Sequence, residues 1–506
     1  MSAFREPEPG RRLRTGYYLD NFEVLLASVE ARYGDLLAPG ELEFLKDFRA
    51  LPLGSRRLWV RLLTRKGPGF EVDRLRYCEI EISAAVEALR ESGFAEEALG
   101  EGESRYLALR RVDSLRVFRL LFFGNLRQDG TEFILRDLGV LRFEAYPLLA
   151  ESRTFSNREA VDRHLELSER RAVIESCLAA KSPEMLERAA LIAEEVAGEE
   201  WQGSLRRRAD RLVLAAARAL ERGGESDRSL ALYSAVEAPP ARERRVRILA
   251  GRGALDRAAA LGREIALSPR DESERVFGED FGRRLDARRA GVLCPRRRPA
   301  ILPHRELKAR RSAGSVEDAA LEALAGEGYR GFFAENWLWR ALFGLAFWDV
   351  VFAPVPGAFA HPFQYGPLDL HAGFRAARSE LVDRRLEDLR GMGTISHLLR
   401  VWDGKRGIAN HLVPWNGDLL PHLELATRAI RGSELAAISD RLSRDLPRYG
   451  HGLPDLFLVH PERGSWMLAE IKAPGDTLRP EQRGWLEYLA GHGIAAAVIH
   501  LRWHST

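Results

Sequence analysis

Residues 451–476, HGLPDLFLVHPERGSWMLAEIKAPGD, decide how the rest of the chain is read. Pro454 precedes Asp455, two runs of strand-forming residues follow, and Glu470 and Lys472 stand two positions apart. Side chains alternate along a strand with period 2, so Glu470 and Lys472 share one face. Pro454 suits a strand start, where its missing N–H is tolerated. If "LPDLFLV" and "SWMLAEIKA" pair as a hairpin, Asp455, Glu470 and Lys472 converge at one end. The alternative is an exposed hairpin in which Asp455 caps a turn and Glu470 pairs with Lys472 on the surface. The apolar flanks on both faces favour buried strands.

The residue types fit one kind of chemistry. Cleaving a phosphodiester needs an acidified water and neutralisation of charge developing on the phosphate. Carboxylates that gather Mg²⁺ or Mn²⁺ serve both needs, because hard cations prefer oxygen ligands. A lysine beside them can orient the water and stabilise the anionic transition state. Asp455 and Glu470 are the candidate ligands, the backbone carbonyl of Ile471 a further one, and Lys472 the candidate cation. The next segment, "RPEQRGWLEYLAGHG", reads as a helix from which Gln482 points back at the site while Trp485, Leu486 and Leu489 pack inward.

Composition sets the surroundings. The 506 residues allow two to four domains, and 45% hydrophobic with 30% charged residues is ordinary for a globular protein. The net charge is only +3, so any footprint for nucleic acid must be local. Of 77 basic residues only six are Lys, which makes Lys472 at this spot improbable by chance. Cys78, Cys177 and Cys294 are too far apart for a CxxC zinc module or a disulfide framework, which suits a reducing compartment. The opening "MSAFREPEPGRRLR" lacks the apolar core of a signal peptide. The run Leu338–Phe359 is broken by Arg340, Asp349 and two prolines, so it reads as a buried helix plus strand and not a membrane span.

The pattern along the chain is mostly helical. Tyr17–Tyr33 and Glu41–Ala50 have helical apolar spacing, and residues 1–150 form one mainly helical region. From 151 to 293 the composition turns to Ala, Leu, Glu and Arg with helical pairs every 35–40 residues, an irregular TPR-like α-solenoid. Residues 294–314, Pro- and Arg-rich, read as a linker, including "PRRRP" at 295–299. Residues 315–506 form a mixed α/β domain with early helices, two strands, a helix and the final strand "AAAVIHLRW".

"GLPDL" followed by "EIKAPGDTLRPEQRGWLEYLAGHG" resembles the VRR-NUC branch of the PD-(D/E)xK nucleases. "GYYLDNFEVLLASVEARYGDLLAPGELEFLKDFRALP", "RLWVRLLTRKGPGF", "GFFAENWLWRALFGLAFWDVVFAPVPGAF" and "PFQYGPLDL" are similar to the Fanconi anaemia-associated nuclease family and its bacterial homologues. The resemblance spans most of the chain. It implies a multidomain, mostly α protein: a helical N-terminal DNA-binding region, a TPR-like α-solenoid and a C-terminal α/β PD-(D/E)xK (VRR-NUC) nuclease domain. It implies that Asp455, Glu470 and Lys472 are catalytic, and that Glu335 completes a site for one or two Mg²⁺ or Mn²⁺ ions from an upstream helix. A buried carboxylate opening so apolar a helix needs a cation partner; the other reading is a helix-terminal Glu favoured by the dipole.

The implied substrate is branched, 5′-flap, nicked or crosslinked DNA. The implied activities are 5′-flap endonuclease and 5′→3′ exonuclease in interstrand crosslink repair, in a bacterial cytoplasm on the nucleoid. A Holliday-junction nuclease of the same superfamily and a helical-repeat DNA-binding adaptor with a weak nuclease domain are the competing readings. Arg57, Arg61, Arg65 and Lys66, in a segment with seven basic residues against two acids, are candidate phosphate contacts. Trp59 among them is expected in the core. The cysteine count excludes the ubiquitin-binding zinc finger of eukaryotic members. About a dozen residues between Phe94 and Tyr106 leave no room for the family's SAP-like module.

Overall fold

The computed structural model describes residues 13–65, 67, 69–99, 105–128, 130–137, 141–289, 291–293, 302–311, 314–391, 394–415 and 419–504. Lys66, Cys294 and the "PRRRP" stretch lie outside them. The described residues fall into two compact units, one drawn from Met1–Leu165, Phe347–Leu370 and Val401–Asn416, the other from Glu166–Ala346, His371–Arg400 and Gly417–Thr506.

In the first unit, helices α1 (Tyr17–Tyr33), α2 (Pro39–Ala50) and α3 (Leu53–Leu63) lead to strand β1 (Phe70–Glu71) and helix α4 (Ile82–Glu91). Strands β2 (Ala95–Leu99) and β3 (Arg105–Leu109) follow, then helices α5 (Ser114–Phe123) and α6 (Thr131–Asp137). The strands form an antiparallel sheet in the order β1-β3-β2, which the helical reading of residues 1–150 did not include. Strand β2 and the first residue of β3 fall in the short stretch between Phe94 and Tyr106. Trp59 is fully buried at the centre of the core, ringed by Phe44, Phe48 and Phe94, and its indole N–H donates to the Phe94 carbonyl at 3.2 Å.

The segments 347–370 and 401–416 belong to this unit although the sequence reading placed them in the nuclease domain. The reason is aromatic packing. Phe352 and Phe359 stack on Tyr146, and His361 lies between Phe122 and Phe123. Burial pushes the His361 imidazole pKa down to about 3. Buried Gln364 ties its loop together: its Oε1 accepts from the N–H groups of Ala360 and His361, and its Nε2 donates to the carbonyls of Ala358 and Gly366. Glu144 anchors both segments, accepting from Trp348 Nε1 at 2.6 Å and Lys405 Nζ at 2.7 Å.

The second unit opens with seven helices: α7 (Arg158–Ala180), which begins in the first unit's range, α8 (Pro183–Gly198), α9 (Gly203–Arg222), α10 (Ser226–Ala235), α11 (Ala241–Gly251), α12 (Leu255–Leu267) and α13 (Glu272–Arg289). From α8 onward each packs on its successor, around small residues such as Ala189, Ala193, Ala216 and Ala217 that let helices approach closely. Strand β4 (His304–Ala309), helix α14 (Val316–Ala325) and strand β5 (Arg330–Phe333) then lead to helix α15 (Glu335–Ala346). Next along the chain come α16 (Trp348–Val351), which belongs to the first unit, α17 (Phe374–Ala377), α18 (Ser379–Gly391), α19 (Thr394–Lys405), whose end reaches the first unit's range, α20 (Leu419–Ala429), α21 (Gly432–Arg444) and α22 (Leu446–Tyr449). The run Leu338–Phe359 holds α15 and α16 and no strand, because Pro354 and Pro356 cannot donate to a ladder.

The chain closes with β6 (Leu456–His460), β7 (Ser465–Lys472), helix α23 (Pro480–Gly491) and β8 (Ala496–Trp503). One mixed sheet runs β4-β8-β7-β6-β5. Strand β4 corrects the linker reading of 294–314. Leu307 and Ala309 alternate inward and pair in parallel with Leu501 and Trp503, so an edge strand lies where Pro and Arg content suggested a spacer. Strand β5 was also missed, because four residues, "RGFF", are too short to show a period. Helix α14 covers one face of the sheet through Ala319, Ala320 and Leu324, while Leu486 of α23 packs with Val498 of β8. None of the described helices is long and apolar enough to cross a membrane.

Candidate active site

Antiparallel pairing of β6 with β7, in the register Leu456 to Ala469, sets Asp455 just beyond the ladder and opposite Glu470. Asp455 Oδ2 accepts the Ile471 N–H at 2.8 Å, while the Asp455 carbonyl accepts the N–H groups of Ala334 at 2.8 Å and Glu335 at 3.0 Å. One residue thus joins the end of β5, the start of α15 and the middle strand β7. An extended residue presents its N–H and C=O to the same edge. The Ile471 carbonyl therefore faces the side on which Asp455 lies, where β6 has already ended.

Glu470 is 1% exposed and Lys472 8% exposed, an unusual burial for both types. Lys472 Nζ donates to Glu470 Oε1 at 2.8 Å and to Gln482 Oε1 at 3.1 Å, and Gln482 Nε2 donates to the same Glu470 oxygen at 2.5 Å. Gln482 is held because it is also the third residue of α23, where its Oε1 accepts the Arg479 N–H at 3.0 Å. Trp485 fastens that helix to the loop before Asp455, its indole N–H shared by the carbonyls of Tyr449 and His451, each at 3.0 Å. Lys472, Glu470 and Gln482 form a closed triangle, and the second oxygen, Glu470 Oε2, is buried with no hydrogen-bond partner.

Burial pushes the Glu470 carboxyl up to about 8, aided by the adjacent Asp455 and opposed by Lys472. Burial also pushes Asp455 up to about 6; the Ile471 N–H opposes this, while Glu317 and Glu335 add to it. Two carboxyl groups that cannot both ionise cheaply, one with an orphan oxygen, and a carbonyl facing the same edge form an oxygen-rich donor set. Such a set fits a hard divalent cation.

Glu335 is adjacent but not assembled. Its carboxylate accepts from Asn336 Nδ2 at 2.9 Å, and no three His, Cys, Asp or Glu side chains among the described residues are grouped closely enough to hold a metal ion. Its φ of 22° is disfavoured for a residue with a Cβ and is sustained by the two N–H bonds to Asp455. Glu317, near the start of α14, went unnoticed in the sequence. It follows the N-cap Ser315 like any first-turn acid, and only the fold brings its charge to bear on Asp455.

The candidate phosphate contacts sit in the other unit. Arg61 lies over Tyr18 at 4.8 Å and Tyr77 at 5.0 Å, and Arg65 donates to the Tyr77 hydroxyl at 3.1 Å. Arg57 is half-buried with its guanidinium against Gly16.

A Fanconi-associated nuclease 1 homolog of Pseudomonas aeruginosa is 32% identical to this protein over 96% of each chain. The chain belongs to the Fanconi-associated nuclease family. The Arabidopsis thaliana homolog of Fanconi-associated nuclease 1 is 25% identical, across 97% of this chain and 67% of its own length. Residues 16–96 match the family model described as "FAN1, HTH domain", and residues 394–503 match "VRR-NUC domain". Strands β4 and β5 and Glu335 fall outside the latter match, though both strands complete its sheet. A solved structure, "Crystal structure of paFAN1 bound to 2nt 5'flap DNA with gap", aligns with TM-score 0.86 at 30% identity, covering 98% of this chain and 100% of that one. As a Fanconi-associated nuclease, the protein is a metal-dependent, DNA-hydrolysing enzyme.

Proposed function

We propose that this nuclease is structure-selective, cuts 5′-flap DNA near the junction, acts as a 5′→3′ exonuclease, and serves interstrand crosslink repair on the bacterial nucleoid. Support for the substrate comes from the relative crystallised with a 5′ flap. Asp455, Glu470, the Ile471 carbonyl and, after its side chain turns from Asn336, Glu335 would hold Mg²⁺ or Mn²⁺. The ion would supply charge neutralisation at the phosphate and a more acidic water. Lys472 orients that water and offsets charge on the phosphoryl oxygens, and Gln482 keeps Lys472 and Glu470 in register. Arg57, Arg61 and Arg65 would meet backbone phosphates, and Lys66 joins them as a candidate by sequence alone.

The observation that carries this reading is the buried, partnerless oxygen of Glu470 beside Asp455. The test is cleavage of end-labelled flap, nicked and four-way DNA by the wild type and Asp455→Ala, with Mg²⁺ and with Mn²⁺. Loss of at least ~10³-fold in the variant with DNA affinity retained is expected. Equal cleavage by both proteins overturns the site, and preference for the four-way substrate overturns the flap reading.

A further inference from the structure

The sheet face that carries the site continues past it. Residues in register on neighbouring strands share a face, so Glu470 and Lys472 of β7 lie on the face of Val498 and His500 of β8. The same face holds His304 and Glu306 of β4. Strand β7 ends at Lys472, whereas β8 and β4 run on and add Arg502 and Lys308 in register. Leu486 of α23 covers this face at Val498. Along β4, His304, Glu306 and Lys308 are exposed, while Leu307 and Ala309 on the other face are buried against α14.

The open stretch is mostly cationic. Arg502 bridges to Glu306 in an exposed pair that contributes little by itself. The His500 and His304 rings stack, with His500 Nε2 3.3 Å from His304 Nδ1. Two of the chain's six lysines, Lys472 and Lys308, share this one face. Among the described residues Lys308 has no carboxylate partner, and neither has exposed Arg310 two residues on. On the other flank of β7 the same face is closed. Phe457 stacks on Trp466 at 5.3 Å, and the Trp466 indole N–H donates to Glu434 of α21 at 3.0 Å.

We infer that the open face of β8 and β4 is a track for the phosphate backbone of the DNA strand leaving the site, with His500 nearest the cut and Lys308 farther out. Two strand spacings and two residues separate Lys308 from Lys472, ~12 Å between their Cα atoms. Phosphates recur every ~3.4 Å of axis along a strand, so a strand held at Lys472 carries its next few phosphates across this face. Ammonium and imidazole N–H groups donate to phosphate oxygens without reading sequence, which suits an enzyme that selects shape. The inference rests on the reading of Asp455, Glu470 and Lys472 as the site, and the two fail separately: cleavage by Asp455→Ala tests that reading, and metal-free binding tests the track.

The experiment uses the full-length protein without divalent metal and flap DNA in which one phosphate at a time is replaced by an uncharged methylphosphonate, on both sides of the cut mapped with the wild type. Lys308→Ala should weaken binding and reduce the slope of log affinity against log salt by about 1, and Lys308→Arg should restore both. Neutralising the phosphate that Lys308 meets should cost the wild type affinity and cost Lys308→Ala nothing further. His500→Ala should show the same coupling with a phosphate nearer the cut. Thermal melting checks that the variants fold; if His500→Ala melts early, the exposed Lys308 decides alone. Additive losses at every phosphate, coupling only in a distant duplex arm, or a reversed order of His500 and Lys308 would overturn the track. Lys308 would then be a charge that guards an edge strand against pairing with another chain.

Discussion

Two deeply buried regions of this molecule are built on opposite terms. Around Trp59, rings fill the interior of the first unit at centroid separations of 5.5–5.7 Å to Phe44, Phe48 and Phe94, and the one polar atom, the indole N–H, finds a carbonyl. At the end of β7 the second unit buries Glu470 and Lys472 almost as completely, yet leaves Glu470 Oε2 without a partner. Close-packed rings gain from every atom removed from water, whereas an unsatisfied carboxyl costs free energy until something arrives to use it. The first arrangement stabilises the fold; the second costs stability, and on the proposed reading it is kept for chemistry.

That contrast can be broken most severely at Trp59. Trp59→Ala should destabilise the first unit by about 3–5 kcal/mol, the range for deleting a buried large aromatic, seen as an early transition in urea monitored by circular dichroism. A loss below ~1 kcal/mol would mean that the neighbouring rings collapse into the space.

Glu470→Gln should do the reverse. Because the Glu470 carboxyl is raised from 4.5 to about 8 in the folded chain, the native state holds a proton that the unfolded chain has released between those values. The metal-free wild type should therefore lose stability as pH rises through that window, while Glu470→Gln lacks this slope and becomes the more stable by ~1–3 kcal/mol at pH 8.5. Added Mn²⁺ should raise the wild-type melting temperature more at pH 8.5 than at pH 6, since the ligands must first lose their protons. Parallel melting curves for the two proteins across pH would show that Lys472 already compensates the charge.

Legibility from sequence follows the same division. The hairpin, Asp455, Glu470 and Lys472 could be read because a period of 2 and a scarce lysine are local signals. Trp59 could be read because an apolar face at helical spacing has one natural destination. Strands β4 and β5 could not, because their pairing with β8 and β6 joins residues more than a hundred positions apart. The transfer of 347–370 to the first unit was equally hidden: Tyr146 and Phe359 meet only in the folded chain. Glu317 shows the limit most clearly, since a first-turn acid after Ser315 looks like any helix start until Asp455 faces it.

Gln482 tests whether the closed triangle at the site must be rigid. Gln482→Ala removes one partner from Glu470 and one from Lys472 without touching either charge. Loss of a residue that orients ligands and not substrate costs about 10- to 100-fold in activity or metal affinity, so kcat should fall in that range at unchanged DNA affinity. An unchanged kcat would mean that the Lys472–Glu470 pair holds its own geometry.

The smallest expected effect belongs to Arg61, and it asks whether a well-packed unit can also serve the substrate. Its guanidinium is held over Tyr18 and Tyr77, which fixes a long side chain that would otherwise lose rotamer freedom on meeting a phosphate. If it makes one such contact, Arg61→Ala should weaken binding to all DNA substrates alike and reduce the slope of log affinity against log salt by about 1. Arg61→Lys keeps the charge but not the planar ring contact, so it should recover the salt slope while recovering only part of the affinity. A variant that loses affinity with the salt slope intact would assign Arg61 to the packing of Tyr18 and Tyr77, and the distinction between the two buried regions would then extend to the surface of the first unit.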